Sequence, residues 1–378
     1  MSLDLSRDTL VITLAGSQAH GTAHAESDVD LRGVCVAPLS VRVSLFQPFE
    51  QFDGPLEGAL GEQVRARIQA HPTAHRGLAI KTESVVFDIA KFLHLSASAN
   101  PNTLEILFAD ERDWLVETPT WRAIHRERHR FLTRRVQQTY LGYGMAQLKK
   151  IQSHRAWLLS PPANKPTRGA FGLPETGTLS RDDQHRIETA IQEKIASYRL
   201  DDVEMPKDAR IAMQERMEAF WMDTQRTDDA PAEEALREVA VGALRLPEEV
   251  ALALTRERKY RAALKHWESY AKWKEERNPK RAHLETIYGY DTKHAMHLVR
   301  LMKTGLELLQ TGELRVRRED AEELIAIREG ALSYEALLAR AKELEAAMHL
   351  AAQESRLPAH VDATWVDALA YSIIVAAR

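Results

Sequence analysis

Two short stretches near the N-terminus decide the fold: Thr9-Leu10-Val11-Ile12-Thr13-Leu14-Ala15-Gly16-Ser17 and Ser27-Asp28-Val29-Asp30-Leu31-Arg32-Gly33. The first is an apolar run typical of a buried strand, and it ends at a glycine that lets the backbone turn. The second predicts a strand on which Asp28 and Asp30 share a face, because side chains alternate with a period of two. Two neighbouring carboxylates repel each other unless a divalent cation neutralises them. The pair therefore indicates a site for Mg²⁺ (or Mn²⁺), which prefers hard oxygen ligands.

The residues after the first strand suit a phosphate group. Gly16 allows close approach of the backbone to a ligand, and Ser17 offers a hydroxyl and a backbone N–H. Thr22 either reaches a phosphate or caps the loop. An isolated Asp-x-Asp is also compatible with a solvated strand edge, so the wider pattern carries the interpretation.

That wider pattern, Gly16-Ser17, Gly21-Thr22-Ala23 and Ser27 to Gly33, resembles the signature of the DNA-polymerase-β-type nucleotidyltransferase superfamily. Two later segments are similar to one branch of it, the RNA-ligase-associated (RNA repair) nucleotidyltransferases: Asn100-Pro101-Asn102-Thr103-Leu104-Glu105-Ile106-Leu107-Phe108 and Gly289-Tyr290-Asp291-Thr292-Lys293-His294-Ala295-Met296-His297-Leu298-Val299-Arg300-Leu301. The resemblance implies transfer of a nucleoside monophosphate from a nucleoside triphosphate to an RNA 3′ end, with release of pyrophosphate. It also implies a functional association with an RNA ligase.

The resemblance further implies a third carboxylate on a later strand, in Lys81-Thr82-Glu83-Ser84-Val85-Val86-Phe87. Glu83 is predicted to join Asp28 and Asp30 as a catalytic metal ligand, although the superfamily often has Asp at this position. Asp88 is the alternative, but it precedes a helical pattern and makes a natural N-cap. Arg32 is predicted to face away from the metals in a structural salt link. The predicted nucleotide contacts in this region are Gly16, Ser17, Thr22 and Ser27.

A second group of polar residues follows Asp291, which is predicted to cap a helix. Residues three and four apart share a helix face, so Lys293, His297 and Arg300 fall in one sector with His294 beside them. Lys293, His294 and His297 are predicted to hold phosphate from the helical side of a cleft. A capped helix with a solvated first turn is the alternative. Two histidines three apart could also suggest zinc, but no cysteine or third ligand is evident nearby.

The elements predict an α+β fold: a mixed β-sheet domain over residues 1–112 and an α-helical domain over 113–378 that closes the cleft. Gly and Pro residues and the lack of a clear hydrophobic period favour a long loop or insertion over Gln51 to Gly77. They also favour a Pro/Gly-rich connection over Ser160 to Thr178 and a break at Asp228 to Pro231. The predicted strands are Leu10–Ala15, Val29–Ala37, Val41–Phe46 and Ile80–Phe87, with helices around residues 91–95 and 104–108 and an almost wholly helical chain from Trp114 onward.

Composition sets the remaining limits. The 378 residues carry a net charge of −4, which argues against bulk coating of nucleic acid. No membrane span or signal peptide is evident, and a cytoplasmic protein is expected. Cys35 is the only cysteine and is predicted to be a buried, inert thiol.

Two stretches of the chain are strongly basic despite the negative net charge. The segment 256–281 has ten Lys or Arg against four Glu, interleaved with Tyr and Trp, and 122–135 has six arginines. Cations alternating with aromatic rings suit single-stranded RNA, but a solvated helix face with its rings in the core has the same composition. Two other functions remain open: nucleotidylation of a small molecule or a protein side chain, and a catalytically silent RNA-binding module.

Overall fold

A computed structural model describes residues 3–46, 48–75, 82–175, 181–197, 211, 213, 248–277 and 279–377. The chain divides into two compact units: unit 1 is Met1–Leu158 with Pro279–Arg378, and unit 2 is Leu159–Asn278. The boundary predicted between residues 112 and 113 falls inside unit 1. Strand residues such as Val11 share one hydrophobic core with Leu298 of the C-terminal segment, so both segments fold as one unit.

Unit 1 contains a five-stranded mixed sheet in the order β3-β4-β2-β1-β5. Its strands are β1 (Thr9–Ala15), β2 (Val29–Cys35), β3 (Gln51–Asp53), β4 (Thr82–Asp88) and β5 (Trp114–Glu117). Strands β2 and β4 are parallel, and the other neighbours are antiparallel. The predicted α+β class is confirmed, as is the whole of the predicted strand Leu10–Ala15. The predicted strand Val29–Ala37 is confirmed up to Cys35. Residues 80 and 81 of the predicted fourth strand lie outside the described residues.

The described residues also form helices. In chain order they are α1 (Leu5–Asp8), α2 (Gly16–His20), α3 (Leu39–Arg42), α4 (Gly58–Ala70), α5 (Ile89–Ala97), α6 (Pro101–Leu107), α7 (Pro119–Arg126), α8 (Val136–Leu159), α9 (Arg181–Ser197), α10 (Glu248–Glu276), α11 (Pro279–Tyr288), α12 (Thr292–Thr311), α13 (Ala321–Arg328), α14 (Tyr334–Glu354) and α15 (Ala363–Ala376). Short 3-10 helices occur at Glu111–Asp113, Arg128–Phe131 and Arg168–Phe171. Across the described residues, no helix combines the length and the apolar character that a membrane crossing requires.

The two faces of the sheet bury different cores. Val29 and Leu31 of β2 lie in a core that α4 completes with Leu60, Val64 and Ile68. The opposite face packs under the helices of the second core, which includes α5, α6 and α12. Because side chains alternate along β2, Asp28 and Asp30 point away from α4. Cys35 is fully buried at the end of β2, so its predicted burial is confirmed, and burial raises the pKa of its thiol to about 12.

Two sequence predictions about local structure are wrong. Val41–Phe46 is not a strand, because Pro38 opens the short helix α3 and Leu45 and Phe46 are 91% and 94% exposed, so no burial holds them extended. Gln51 to Gly77 is not one long loop, since it contains β3 and α4; residues 76 and 77 lie outside the described residues. The almost wholly helical pattern predicted from Trp114 onward is confirmed in the described residues, with the exception of the four-residue strand β5, which pairs with β1.

Unit 2 contains α9, α10 and the 3-10 helix at Arg168–Phe171. The Arg168 guanidinium pairs with the buried Glu257 carboxylate at 2.8 Å and lies over the Tyr260 ring. Further along α10, Arg277 lies over Trp273, with its guanidinium carbon 4.6 Å from the ring centroid. The aromatic rings of the basic segment 256–281 are partly exposed, and cationic side chains lie over them. The break predicted at Asp228 to Pro231 lies outside the described residues.

Candidate active site

The turn after β1 is built around Gly16. Its φ of +56° lies in the left-handed region, and a Cβ there would sit 2.1 Å from Oδ2 of Asp30. Only glycine lets the backbone pass this close to the carboxylate. The short helix α2 follows and ends at Gly21, whose φ is +77°. The sequence-predicted turn is therefore in direct contact with the second aspartate of the motif.

Three carboxylates come together at this corner of the sheet. Glu83 on β4 is the direct parallel partner of Asp30 on β2, and paired residues of adjacent strands point to the same face. Asp28 lies two residues before Asp30 and is exposed, as is Glu83. Burial raises the pKa of Asp30; the charges of Glu83 and Asp28 add to this, whereas Arg32 and Lys293 oppose it. The three acids thus interact electrostatically, as a shared cation site requires.

Asp88, the alternative third carboxylate, has a different environment. It is 3% exposed, and its side chain caps α5 by accepting from the backbone N–H of Ala90. Its Oδ1 also receives a 2.6 Å hydrogen bond from Arg42 Nη2. It lies at the far end of β4, in register with Cys35 rather than with Asp30. The predicted N-cap is confirmed, and the geometry favours Glu83 for the metal corner.

A cavity of about 350 Å³ opens in front of Asp30. One side is formed by β1, β2 and the Gly16 turn, and the other by α6, α8 and α12. Its lining includes Thr13, Leu14, Ala15, Gly16, Ala19, His20, Asp30, Arg32, Asn102, Glu105, Ile106, Tyr143, Gln147, His294, His297, Arg300, Leu301 and Val316. Asp30 of the sheet therefore faces His294, His297 and Arg300 of α12 across one space.

The basic side of the cavity depends on the capped start of α12. Asp291 accepts from the backbone N–H of His294, so the predicted cap is confirmed. His294 Nδ1 lies 2.8 Å from Oε1 of Gln147, and the charge of Lys293 reaches Asp30. Burial lowers the pKa of His297 well below its ordinary value, and the charges of Arg300, His20 and Lys293 add to this effect. Burial therefore favours the neutral form of His297.

Residues 7–158 match the model of the family described as "RNA repair pathway DNA polymerase beta family". Over these residues the chain is similar to that family. The match ends at Leu158, where the first segment of unit 1 also ends. The matched residues 7–158, the polymerase-β region, contain the sheet, the three carboxylates and the Gly16 turn. Helix α12 lies outside it. Comparison of the chain with curated proteins and with solved structures finds no match.

One prediction within the polymerase-β region is wrong. Arg32 does not face away from the carboxylates, because residues two apart on a strand share a face. It lines the cavity with Asp30 and its charge lowers the pKa of that carboxyl, while its Nη1 donates to the carbonyl of Leu31 at 2.8 Å. Arg32 therefore adds a cation beside the acids.

Ser27 and Thr22, two of the predicted nucleotide contacts, form hydrogen bonds within the loop between α2 and β2. The Ser27 hydroxyl accepts from the backbone N–H of His24 at 3.0 Å, and Ser27 N–H donates to the His24 carbonyl at 2.9 Å. Thr22 is 1% exposed, and its N–H donates to the Ser17 carbonyl at 3.0 Å. Both residues shape the loop that presents the turn, and their contact with a nucleotide stays a prediction.

A buried ion network ties the polymerase-β region to α12, and the sequence did not reveal it. Glu105 lies between His20 Nε2, at 3.1 Å from its Oε2, and the guanidinium of Arg300. Burial raises the pKa of Glu105, but the charges of Arg300 and His20 outweigh burial and hold it well below its ordinary range. The only sequence signal was that Glu105 and Arg300 fall within motif segments and that His20 directly precedes one. The network fixes α2 and α12 on opposite sides of the cavity.

The buried histidines predict loss of stability in acid. Burial lowers the pKa values of His20 and His297, so unfolding lets both take up protons. Their contribution is present above the unfolded pKa, about 6.5, and is lost as pH falls below it. Thermal unfolding with a chelator present should show a lower Tm at about pH 5.5 than at about pH 7.5, and a smaller drop for His297→Gln. The exposed His283→Gln is the control; equal drops in all three proteins would contradict the assignment.

Proposed function

We propose that this protein is a divalent-cation-dependent nucleotidyltransferase that moves a nucleoside monophosphate from a nucleoside triphosphate to the 3′ hydroxyl of an RNA, with release of pyrophosphate. The observation that carries the proposal is the pairing of Asp30 with Glu83 beside the Gly16 turn, across a cavity from the basic start of α12. Nucleotidyl transfer is the general chemistry of the polymerase-β family matched by residues 7–158.

The acidic corner fits Mg²⁺ or Mn²⁺. Asp28, Asp30 and Glu83 offer only hard carboxylate oxygens, and the raised pKa of Asp30 reflects an acid held near like charges without full solvation. These three residues would hold the cation. Bound there, it offsets the charge that grows on the phosphoryl oxygens during transfer. The close approach of Gly16 keeps the Asp30 carboxylate in place beside the turn.

The opposite side of the cavity suits a polyphosphate. Lys293 is a cation whose field reaches Asp30, and it lies in the first turn of α12, where backbone N–H groups also favour anions. His297, held neutral, can donate or accept a hydrogen bond but carries no charge. Arg300 already pairs with Glu105, so its role is to position α12. Lys293 is thus the main phosphate contact that we propose, assisted by His297. Both ring nitrogens of His294 already lie against other side chains, so its contact with phosphate stays a prediction.

An RNA acceptor is supported by two features. The family matched by residues 7–158 is described as acting in an RNA repair pathway. Unit 2 presents on α10 the rings of Tyr270 and Trp273, with Lys274 and Arg277 over them. Stacking rings with adjacent cations bind single-stranded nucleic acid without reading its sequence. Repair of an RNA end also requires a ligation step, so we propose that the protein works together with an RNA ligase.

The direct test supplies each α-labelled nucleoside triphosphate, Mg²⁺ or Mn²⁺, and RNAs that differ only at the 3′ end. Label should pass to RNA with a free 3′ hydroxyl and not to the same RNA with a 3′ phosphate, and pyrophosphate should appear in equal amount. Label on the protein or on a small acceptor alone would replace this proposal by nucleotidylation of those targets. Tight RNA binding with no label transfer to any acceptor would identify a silent binding module.

The third carboxylate can be assigned by comparing two matched variants. Glu83→Gln should reduce transfer by at least about 100-fold and leave Tm unchanged, because Glu83 is exposed and acts on the metal. Asp88→Asn should lower the free energy of unfolding by about 3 kcal/mol, since it leaves the buried Arg42 charge without its partner. Activity assays and denaturant melts check both effects. The reverse pattern, activity lost only with Asp88, would contradict the assignment.

The basic stretch of α10 predicts a salt-dependent contribution to RNA binding. Lys272→Ala combined with Lys274→Ala should weaken single-stranded RNA binding and reduce the slope of log affinity against log salt by about 0.7 per lost phosphate contact. Lys342→Ala, an exposed lysine on α14, is the control and should leave the slope unchanged. Fluorescence anisotropy over a salt series measures both. An unchanged slope in the double variant would exclude α10 from the RNA contact.

A further inference from the structure

Three side chains of metal-ligand type meet where α8 passes the start of α12. They are His154 on α8, Asp291 at the N-cap of α12 and His294 in its first turn, and one ligand atom of each lies within 4.8 Å of the others. Asp291 is 2% exposed, whereas the two imidazoles are 15% and 17% exposed. The cluster is therefore largely shielded but reachable from solvent.

The spacing of the ligand atoms suits one ion. Oδ2 of Asp291 lies 3.6 Å from His154 Nδ1 and also 3.6 Å from His294 Nε2. These distances exceed a normal hydrogen bond. Ligand atoms bound at about 2.0–2.1 Å in a tetrahedral site are about 3.4 Å apart, so a small inward movement brings all three onto one ion.

Neighbouring groups orient the ligands. The Gln147 amide oxygen lies 2.8 Å from Nδ1 of His294, which turns Nε2 toward Asp291. A metal-bound histidine commonly donates its other ring N–H to an oxygen acceptor in this way. Asp291 Oδ1 accepts from the His294 backbone N–H, which directs Oδ2 toward the imidazoles. The Trp157 ring stacks on His154 with centroids 5.5 Å apart and holds that ring flat against it.

The donor set differs from that of the acidic corner. Two imidazoles and one carboxylate suit Zn²⁺ and other transition-metal ions, whereas Mg²⁺ prefers oxygen ligands alone. A cation is disfavoured at a helix N-terminus, and the buried Asp291 carboxylate offsets that effect. Three protein ligands leave a fourth position open, and His294 with Gln147 places the cluster at the edge of the cavity.

We propose that His154, Asp291 and His294 form a second metal site, which takes a divalent transition-metal ion such as Zn²⁺ and is separate from the carboxylate corner. The site stands on its own ligands and does not depend on the proposed nucleotidyl transfer. The competing account is a carboxylate that simply pairs with two histidines and binds no ion.

The test titrates the full chain with Zn²⁺ by calorimetry, after chelator treatment and in excess Mg²⁺. The background is Asp28→Asn with Asp30→Asn, so that zinc cannot report on the acidic corner. One equivalent of Zn²⁺ should bind. His154→Ala and Asp291→Asn should each weaken binding by at least about 100-fold, whereas the exposed His94→Ala on α5 should not. Asparagine is also a favoured N-cap, so Asp291→Asn removes the ligand charge and keeps the helix start.

Each outcome decides the proposal. One-to-one zinc uptake that is lost in both ligand variants supports the site, and absorption spectra of the Co²⁺-loaded protein should then show tetrahedral coordination that is lost in the same variants. No uptake by the background protein, or equal affinity in His154→Ala and Asp291→Asn, would overturn it and leave the ion-pair account. Failure of nucleotide transfer would not affect this result, because the background already lacks the acidic corner.

Discussion

Replacing Asp28 and Asp30 together by asparagine is expected to abolish nucleotide transfer, with a loss of about 1,000-fold or more. The change keeps the shape of both side chains but removes the charges that, with Glu83, would hold the cation. The fold should survive, because the substitutions leave Val29 and Leu31 unchanged, and these two residues lie on the buried side of β2. Label transfer to RNA measures activity, and circular dichroism confirms the fold.

The same variant should be at least as stable as the natural protein at neutral pH. Burial raises the pKa of Asp30, so the ionised carboxylate opposes folding until a cation binds, and a neutral amide removes that opposition. Glu62→Ala on the exposed face of α4 is the matched control, since it also removes an acid from the same unit. Transfer that persists in the aspartate variant would show that this corner is not the active site.

Gly16→Ala is expected to reduce transfer by about 100-fold, because a displacement of about 1 Å at a reacting centre has an effect of that size. The new Cβ would lie 2.1 Å from Asp30 Oδ2, so the carboxylate or the turn must move. The left-handed backbone adds about 1–2 kcal/mol of destabilisation. Steady-state kinetics and denaturant melts measure the two effects separately.

Gly142→Ala on α8 is the matched control for that substitution. Nothing lies within 4 Å of a Cβ at Gly142, and the residue is exposed within a helix. Alanine there should raise stability by about 0.5–1 kcal/mol and leave transfer unchanged. Wild-type activity in Gly16→Ala would contradict the close contact between the turn and Asp30.

Local patterns revealed much of this site because they depend on neighbouring residues. The apolar run of β1 and the alternation in β2 identified two strands of the sheet, and the short polar side chains of Asp88 and Asp291 identified two helix starts, both of which are capped as expected. Gly33 shows how closely these two strands pack: a Cβ there would lie 2.6 Å from the Val11 carbonyl, so β1 and β2 need glycine at this position.

The errors arose where tertiary contacts decide the structure. Leu60, Val64 and Ile68 recur every four residues, yet the glycines around them hid a helix that is stabilised by burial against the sheet. Strand β5 is only four residues long and owes its form to β1, about 100 positions earlier. In both cases the deciding partner was distant in sequence.

Partners distant in sequence also hid parts of the site. Glu105 meets His20 and Arg300 across 85 and 195 residues, and His154 reaches Asp291 from a helix that showed no metal-binding spacing. The Asp28 and Asp30 motif was recognisable because its geometry is local. The sequence also placed the basic residues of α12 on the helical side of a cleft, but which residues of the sheet they face depends on tertiary packing.

The most direct test of the central claim is calorimetric titration of the purified protein with nucleoside triphosphates, with and without Mg²⁺ or Mn²⁺. Binding of a nucleotide should require the cation, and it should disappear in the Asp28→Asn, Asp30→Asn variant while it persists in Glu62→Ala. Nucleotide binding that is equally tight without a cation, or no binding under any condition, would contradict the account of this site.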